Sequence, residues 1–283
     1  MTTDGTNLFI ADYYNHTIRQ IVITTGAVTT IAGSAGLAGS ADGTGTAARF
    51  NLPIGITTDG INLFVADTYN HTIRKIVIST GAVTTVAGSA GSTGSTDGTG
   101  TAARFKNPYR ITTDGTNLFV SDTSNHTIRK IVISTGAVTT VAGSAGLAGS
   151  ADGTGTPARF NSPLGITTDG TNLFIADYAN STIRKIIIAT GAVTTIAGSA
   201  GLTGLTDGIG TAARLNLPQD ITTDGTNLFV ADPGMTNNNS IRKVVISTGL
   251  VTTIATGFTW PQGITTDGVN LYIADRDIIR KIQ

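Results

Sequence analysis

The stretch Thr57-Thr58-Asp59-Gly60-Ile61-Asn62-Leu63-Phe64-Val65-Ala66-Asp67 decides the fold. Thr-Thr runs into Asp-Gly, a tight-turn pair, and then into a continuous apolar run that ends on Asp. A short apolar run bounded by turn residues predicts a strand buried on both faces. The segment recurs: Thr-Thr-Asp-Gly places its Asp at 4, 59, 114, 169, 224 and 267, so the spacing is 55 four times and then 43. The copies that begin at Thr57 and Thr112 differ at 11 of 55 positions. A period of that length is too long for a β-helix rung and suits a propeller blade with an insertion.

Each period predicts four strands. In the second copy they are residues 54–58, 62–67, 72–78 and 82–87, with turns at Asp59-Gly60 and at Ser79-Thr80-Gly81. The fourth alternates apolar residues with Thr and is expected to be the most exposed. The connection from Gly88 to Asn107 is rich in Gly, Ser and Thr and is expected to be a loop, pinned between blades by Phe105. The last copy lacks most of it, and residues 255–261 lead straight into the next first strand. The expectation is an all-β, six-bladed β-propeller of four-stranded antiparallel blades, one domain over residues 1–283. Its last blade would end on the third strand, Asp277 to Lys281, without an outer strand. That bare edge is a candidate for strand pairing with another chain, or for self-assembly as an extracellular structural protein. Met1 falls mid-repeat, so the chain is expected to be part of a longer repeat protein.

The composition agrees. All 18 acidic residues are Asp, there is no Glu and no Cys, and only six residues are Lys. Thr, Val and Ile fill the positions that Glu and Lys would take in a helical protein. A net charge of zero gives no basic face for nucleic acid, so no nucleic-acid partner is expected. No apolar run approaches the roughly 18 residues of a membrane span. Near-perfect internal repetition points to a bacterial protein, secreted or on the cell surface.

These residues resemble the NHL repeat family. In the second copy the pattern is Pro53-x-Gly55-Ile56, Asp59-Gly60, Leu63-Phe64-Val65-Ala66-Asp67 and Asn70-His71-x-Ile73-Arg74-Lys75-Ile76, and the likeness spans the chain. Asn-His appears at Asn15-His16, Asn70-His71 and Asn125-His126, followed each time by Thr where the family has Leu. The fourth copy has Asn180-Ser181, the fifth a longer turn from Gly234 to Ser240, and the sixth only Arg276-Asp277. The resemblance implies a propeller that binds proteins, peptides or nucleic acid. Similar propellers that are lyases or lactonases carry metal ligands near the axis, so a metal-dependent enzyme is the alternative.

Little in the sequence builds an active site. His16, His71 and His126 sit at equivalent turns, about 10 Å apart on strand spacing, too far to share a metal, and are expected to serve the turn. The Asp at 12, 67, 122, 177, 232 and 275 ends every second strand and is expected to cap the following turn. Asp42, Asp97, Asp152 and Asp207, each opening an Asp-Gly segment, offer one carboxylate where calcium wants six to eight oxygens, so plain turns are expected. Neither a cofactor nor a metal is expected, and general acid–base work would fall to Asp alone. The Asn-x-Thr/Ser sequons at Asn15, Asn70, Asn125, Asn180 and Asn238 coincide with the repeat motif. Positions that break the repeat are the better candidates for a specific task. They cluster before and at the first strand, where a propeller has the mouth of its channel. The expected ligand-binding residues are Tyr109, Arg110, Gln219, Asp220, Trp260 and Gln262, facing a protein, peptide or glycan.

Overall fold

A computed structural model describes residues 1–234 and 239–283, which form one antiparallel sheet per repeat and, among these described residues, no α-helix. This is the six-bladed β-propeller that the spacing predicts. The second blade shows the plan. Its strands Gly55–Thr58, Asn62–Asp67, Thr72–Val77 and Ala82–Gly88 lie side by side in chain order. Asn62–Asp67 is buried along nearly its whole length, on both faces, as its unbroken apolar run requires. Thr58 and Asp59 close the first hairpin. The Asp59 Oδ1 accepts the Ile61 and Asn62 N–H groups, and Oδ2 accepts the Asn62 side-chain amide.

The connections are more than loops. Gly43–Thr44 pairs with the fourth strand of the second blade, Gly43 opposite Val83 and Thr44 opposite Ala82. Gly98–Thr99, Gly153–Thr154 and Gly208–Ile209 do the same for the next three blades. Blades two to five therefore have five strands rather than four. A Gly-rich dipeptide has no strand propensity of its own, and the open edge of the fourth strand imposes the pairing. The first blade has four strands, Thr2–Thr3, Asn7–Asp12, Thr17–Val22 and Val28–Gly33. The sixth has three, Pro261–Thr266, Leu271–Asp275 and Ile278–Ile282, so its fourth strand is missing as predicted.

Packing divides the chain into two compact units, Met1–Asn125 with Arg129–Thr140, and His126–Ile128 with Val141–Gln283. In the first, Phe9 and Ile18 pack with Ile56, Leu63, Val65 and Ile76 around Phe50, and Phe64 and Ile73 pack with Ile111 and Leu118 around Phe105. Phe50 and Phe105 come from the connections, so the pinning role expected of Phe105 holds. In the second unit Leu215 takes the equivalent place beside Phe174, Ile183, Ile221 and Leu228.

First strands of adjacent blades touch through glycine. A Cβ on Gly55 would lie 2.5 Å from the Tyr109 carbonyl oxygen and 2.8 Å from the Arg110 Cα. One on Gly165 would lie 2.7 Å from the Asp220 Cα. At this place in the repeat the chain reads Gly55, Arg110, Gly165, Asp220, Gly263, so a glycine alternates with a side chain.

Candidate recognition site

The most constant polar feature is an arginine buried in the third strand. Arg74 has no exposed side-chain surface. Its Nη1 donates to Asp67 Oδ2 at 2.8 Å and to the Arg49 carbonyl at 2.9 Å. Its Nη2 donates to Asp42 Oδ1 at 2.7 Å and to the Ala41 carbonyl at 3.0 Å. The guanidinium lies over the Phe50 ring, 5.2 Å from its centroid. Asp67 belongs to the blade itself, whereas Ala41, Asp42, Arg49 and Phe50 belong to the connection that precedes it. Arg74 thus clamps the connection onto the blade. Arg129, Arg184 and Arg242 repeat the clamp with Asp122 and Asp97, Asp177 and Asp152, and Asp232 and Asp207.

This corrects two expectations. Asp67 does not cap the turn that follows it. Its Oδ1 accepts the N–H of Asn51, sixteen residues earlier, and its Oδ2 accepts Arg74 and the Asn70 amide. Asp42 is not a plain turn residue, since it holds Arg74 and both the N–H and hydroxyl of Thr85. A buried guanidinium needs compensating charge, and these two carboxylates supply it.

Burial pushes the Asp67, Asp122, Asp177 and Asp232 carboxyls up to about 6, against the pull of the paired arginines and amide donors. Protonation there still leaves Arg74 with Asp42 and two carbonyls. The turn aspartates go the other way. Partial burial is outweighed by donors from the following Asn, and Asp59, Asp114, Asp169 and Asp224 fall below 3.8. The sign follows by linkage. A folded state with carboxyls near 6 holds protons that the unfolded chain releases, so stability rises as pH falls from about 7 to about 4.5. Below about 4 the depressed aspartates resist protonation in the fold and stability is lost. Urea midpoints measured from pH 3 to 8 should pass through a maximum between about 4 and 5; a steady rise from 5 to 7 would contradict the assignment.

The histidines serve the turn through their backbone, and their side chains reach beyond it. His16, His71 and His126 take left-handed backbone conformations at φ 58°. Their Nδ1 atoms accept the N–H groups of Leu52, Asn107 and Ser162. Among the described residues, no three His or Asp side chains group as metal ligands. Asn70, Asn125 and Asn180 are buried, and the side-chain nitrogen of each donates to an Asp and to a connection carbonyl. Those three sequons are structural amides. Asn15 is exposed, and Asn238 lies outside the described residues.

Of the six residues singled out at the repeat-breaking positions, Arg110, Gln219 and Asp220 are buried. Arg110 donates to the Ile54 carbonyl at 3.2 Å and lies over the Tyr109 ring, 5.6 Å from its centroid. Asp220 Oδ2 accepts the Ile264 N–H at 3.0 Å and so stitches neighbouring first strands. Tyr109 is half-buried, and Trp260 and Gln262 are exposed. Tyr109 and Arg110 stand in the first unit and the other four in the second.

In the first unit Tyr109 has company that the sequence did not flag. Tyr13 and Tyr14 lie in the turn Tyr13–Asn15, and Tyr69 lies in the equivalent turn Thr68–Asn70. The Tyr69 hydroxyl lies beside that of Tyr13. Tyr13 and Tyr14 meet edge to face with centroids 4.6 Å apart. Burial pushes the Tyr13 hydroxyl up to about 12, helped by the adjacent Tyr69, Tyr14 and Tyr109 phenols. Four of the six tyrosines in the chain are therefore neighbours, and Tyr14 and Tyr69 are well exposed. The signal was available: these turns read Tyr13-Tyr14 and Thr68-Tyr69, against Thr123-Ser124 in the third copy.

The fold defines the class of protein, a six-bladed β-propeller, and its repeats are similar to those of NHL-repeat proteins. No family model matches the sequence. Its homologues are protein SUPPRESSOR OF QUENCHING 1, chloroplastic, of Arabidopsis thaliana and NHL repeat-containing protein 2, as in Bos taurus. The first is 29% identical over 265 residues, 88% of this chain and 25% of that protein. The second is 33% identical over 138 residues, 45% of this chain and 19% of that protein. The chain thus corresponds to a small part of each. Among solved structures, a chain of the nidogen/laminin complex superposes with TM-score 0.69 at 16% identity, over 98% of this chain and 89% of that one. Virginiamycin B lyase from Staphylococcus aureus superposes with TM-score 0.62 at 17% identity, over 99% of this chain and 78% of that one. Such identities speak to the fold alone. No helix among the described residues is long and apolar enough to cross a membrane.

Proposed function

We propose that the chain is a non-enzymatic recognition module whose tyrosine cluster contacts a protein, peptide or glycan partner. The cluster itself carries this reading. Tyrosine offers a large, stiff surface with few rotors to immobilise and a hydroxyl for polar contacts, and it is enriched at the centres of recognition surfaces. Tyr14 is 83% exposed and Tyr69 49%, more surface than either needs for packing. In the second unit, Trp260 and Gln262 are proposed as contacts in their own right.

The test is a binding screen against immobilised peptides and glycans, repeated with Tyr14→Ala and Tyr69→Ala. A ligand of this face should lose at least about tenfold in affinity in either variant, the loss of a hot-spot contact. Thermal stability should stay within about 0.5 kcal/mol, because these side chains support little else. A ligand that binds both variants unchanged places recognition elsewhere.

A further inference from the structure

The chain contains ten Asp-Gly pairs, six in the hairpins after the first strands and four in the connections. Asp-Gly is prone to rearrangement, because glycine has no side chain to shield its nitrogen. The Gly nitrogen attacks the Asp carboxyl carbon and an N–C bond forms. The carboxyl hydroxyl leaves as water with the amide proton. The cyclic imide then takes up water. Breaking the bond from the nitrogen to the main-chain carbonyl leaves an isoaspartyl linkage of unchanged mass. In the second hairpin neither burial nor crowding opposes this. Asp59 and Gly60 are exposed, and nothing lies within 4 Å of the place a Gly60 Cβ would take. Both reacting groups are instead tied by hydrogen bonds. The Gly60 N–H donates to Thr58 Oγ1 at 3.0 Å, and the Thr58 hydroxyl donates to the Asn62 carbonyl at 2.9 Å. The Asp59 Oδ1 accepts the N–H groups of Ile61 at 2.9 Å and Asn62 at 2.6 Å. The bond from the Gly N–H to the Thr hydroxyl recurs at 3.0 Å in all six hairpins.

We infer that the Thr before each hairpin Asp-Gly is a chemical lock on six latent isoaspartate sites. The Asp carboxylate alone closes the turn, through N–H groups two and three residues on. The Thr hydroxyl adds a bond to the one N–H whose nitrogen would react. Held there, the nitrogen keeps its proton and is kept from swinging onto the carboxyl carbon. The carboxyl is restrained as well. Partial burial raises it, but the Asn62 and Ile61 donors outweigh burial and hold Asp59 below its ordinary range. The protonated acid that must lose its hydroxyl is therefore scarce at neutral pH. The four connection pairs are held differently, since Gly43, Gly98, Gly153 and Gly208 each lie opposite a valine of a fourth strand.

The test compares the full chain with Thr58→Val, which keeps the side-chain shape without the hydroxyl, and with Thr58→Ser, which restores the hydroxyl. Each is aged for weeks in warm neutral buffer, and isoaspartate is read site by site by peptide mass spectrometry with electron-transfer fragmentation. Isoaspartate at Asp59 should accumulate about tenfold faster in Thr58→Val, the effect of losing one or two hydrogen bonds, and at the original rate in Thr58→Ser. Asp114, Asp169 and Asp224 keep their own threonines and serve as controls within the same molecule. The unaltered chain held in urea should react at the six hairpins at least about tenfold faster than the folded chain. An unchanged rate at Asp59 in Thr58→Val overturns the inference. A rise shared by all the hairpins, the mark of general unfolding, overturns it too, as do folded and urea-denatured chains that age alike.

Discussion

Arg74→Met is expected to destabilise the protein by about 3–5 kcal/mol, the range for removing one partner of a buried ion pair. Methionine fills much of the volume over Phe50, so lost packing is a minor part. The loss lies in Asp67, which is fully buried and retains only the Asn51 N–H and the Asn70 amide as donors. Asp42 and the Arg49 and Ala41 carbonyls also lose the guanidinium as a donor, though Asp42 keeps Thr85 and the Ala41 carbonyl keeps the Arg49 N–H. For a chain of this length the thermal midpoint should fall by roughly 10 °C. The pH dependence separates this account from simple packing loss. Protonating Asp67 removes the uncompensated charge, so the deficit should shrink by more than half between pH 7 and pH 5. A deficit constant across that interval would count against an electrostatic origin. Arg74→Met combined with Asp67→Asn should recover part of the loss at pH 7, since a neutral amide can be buried more cheaply than a lone carboxylate.

Gly88→Ala is the second large effect. Gly88 ends the fourth strand at φ +88°, and a Cβ there would meet the His71 carbonyl oxygen at 2.4 Å and the Thr72 Cα at 3.0 Å. Both obstacles are backbone, so no rotamer change relieves them. The left-handed conformation alone costs an alanine about 1–3 kcal/mol, and the clash adds to it. The expected total exceeds about 3 kcal/mol. Gly60→Ala is the matched control, since Gly60 has φ +87° and nothing lies within 4 Å of the place its Cβ would take. Chemical denaturation of the two variants should differ by about 2 kcal/mol or more, the contribution of the clash. Similar losses in both would assign the whole effect to backbone conformation.

The blade plan was legible because burial writes itself into the second strand. An apolar run of fixed length, repeated with its Asp-Gly turn, leaves few alternatives to a propeller. The short edge strand was not legible, because Gly43 and Thr44 have no preference for extended pairing until an open fourth strand lies beside them. The arginine clamp was visible only in part. Arg74 recurs at equivalent places, but a lone Arg in a strand normally points to solvent, and its two aspartates lie 7 and 32 residues away in sequence. Each half of the clamp therefore reads, in sequence, as part of a local turn. The tyrosine cluster escaped for another reason. Tyr14 and Tyr69 occupy the same position in successive turns, and their proximity depends on how neighbouring blades pack, which no single repeat encodes.

The alternation of glycine with a side chain along the first strands bears on how such a protein can be built from parts. Averaging the five copies that carry this position into one consensus and reiterating it would erase a distinction between odd and even members. A consensus with glycine everywhere would discard the stitch from Asp220 to the next strand. A consensus with arginine or aspartate everywhere would put Cβ atoms where Gly55 and Gly165 have no room for them. The smallest interchangeable module is therefore a pair of blades, and a designed array should grow in twos.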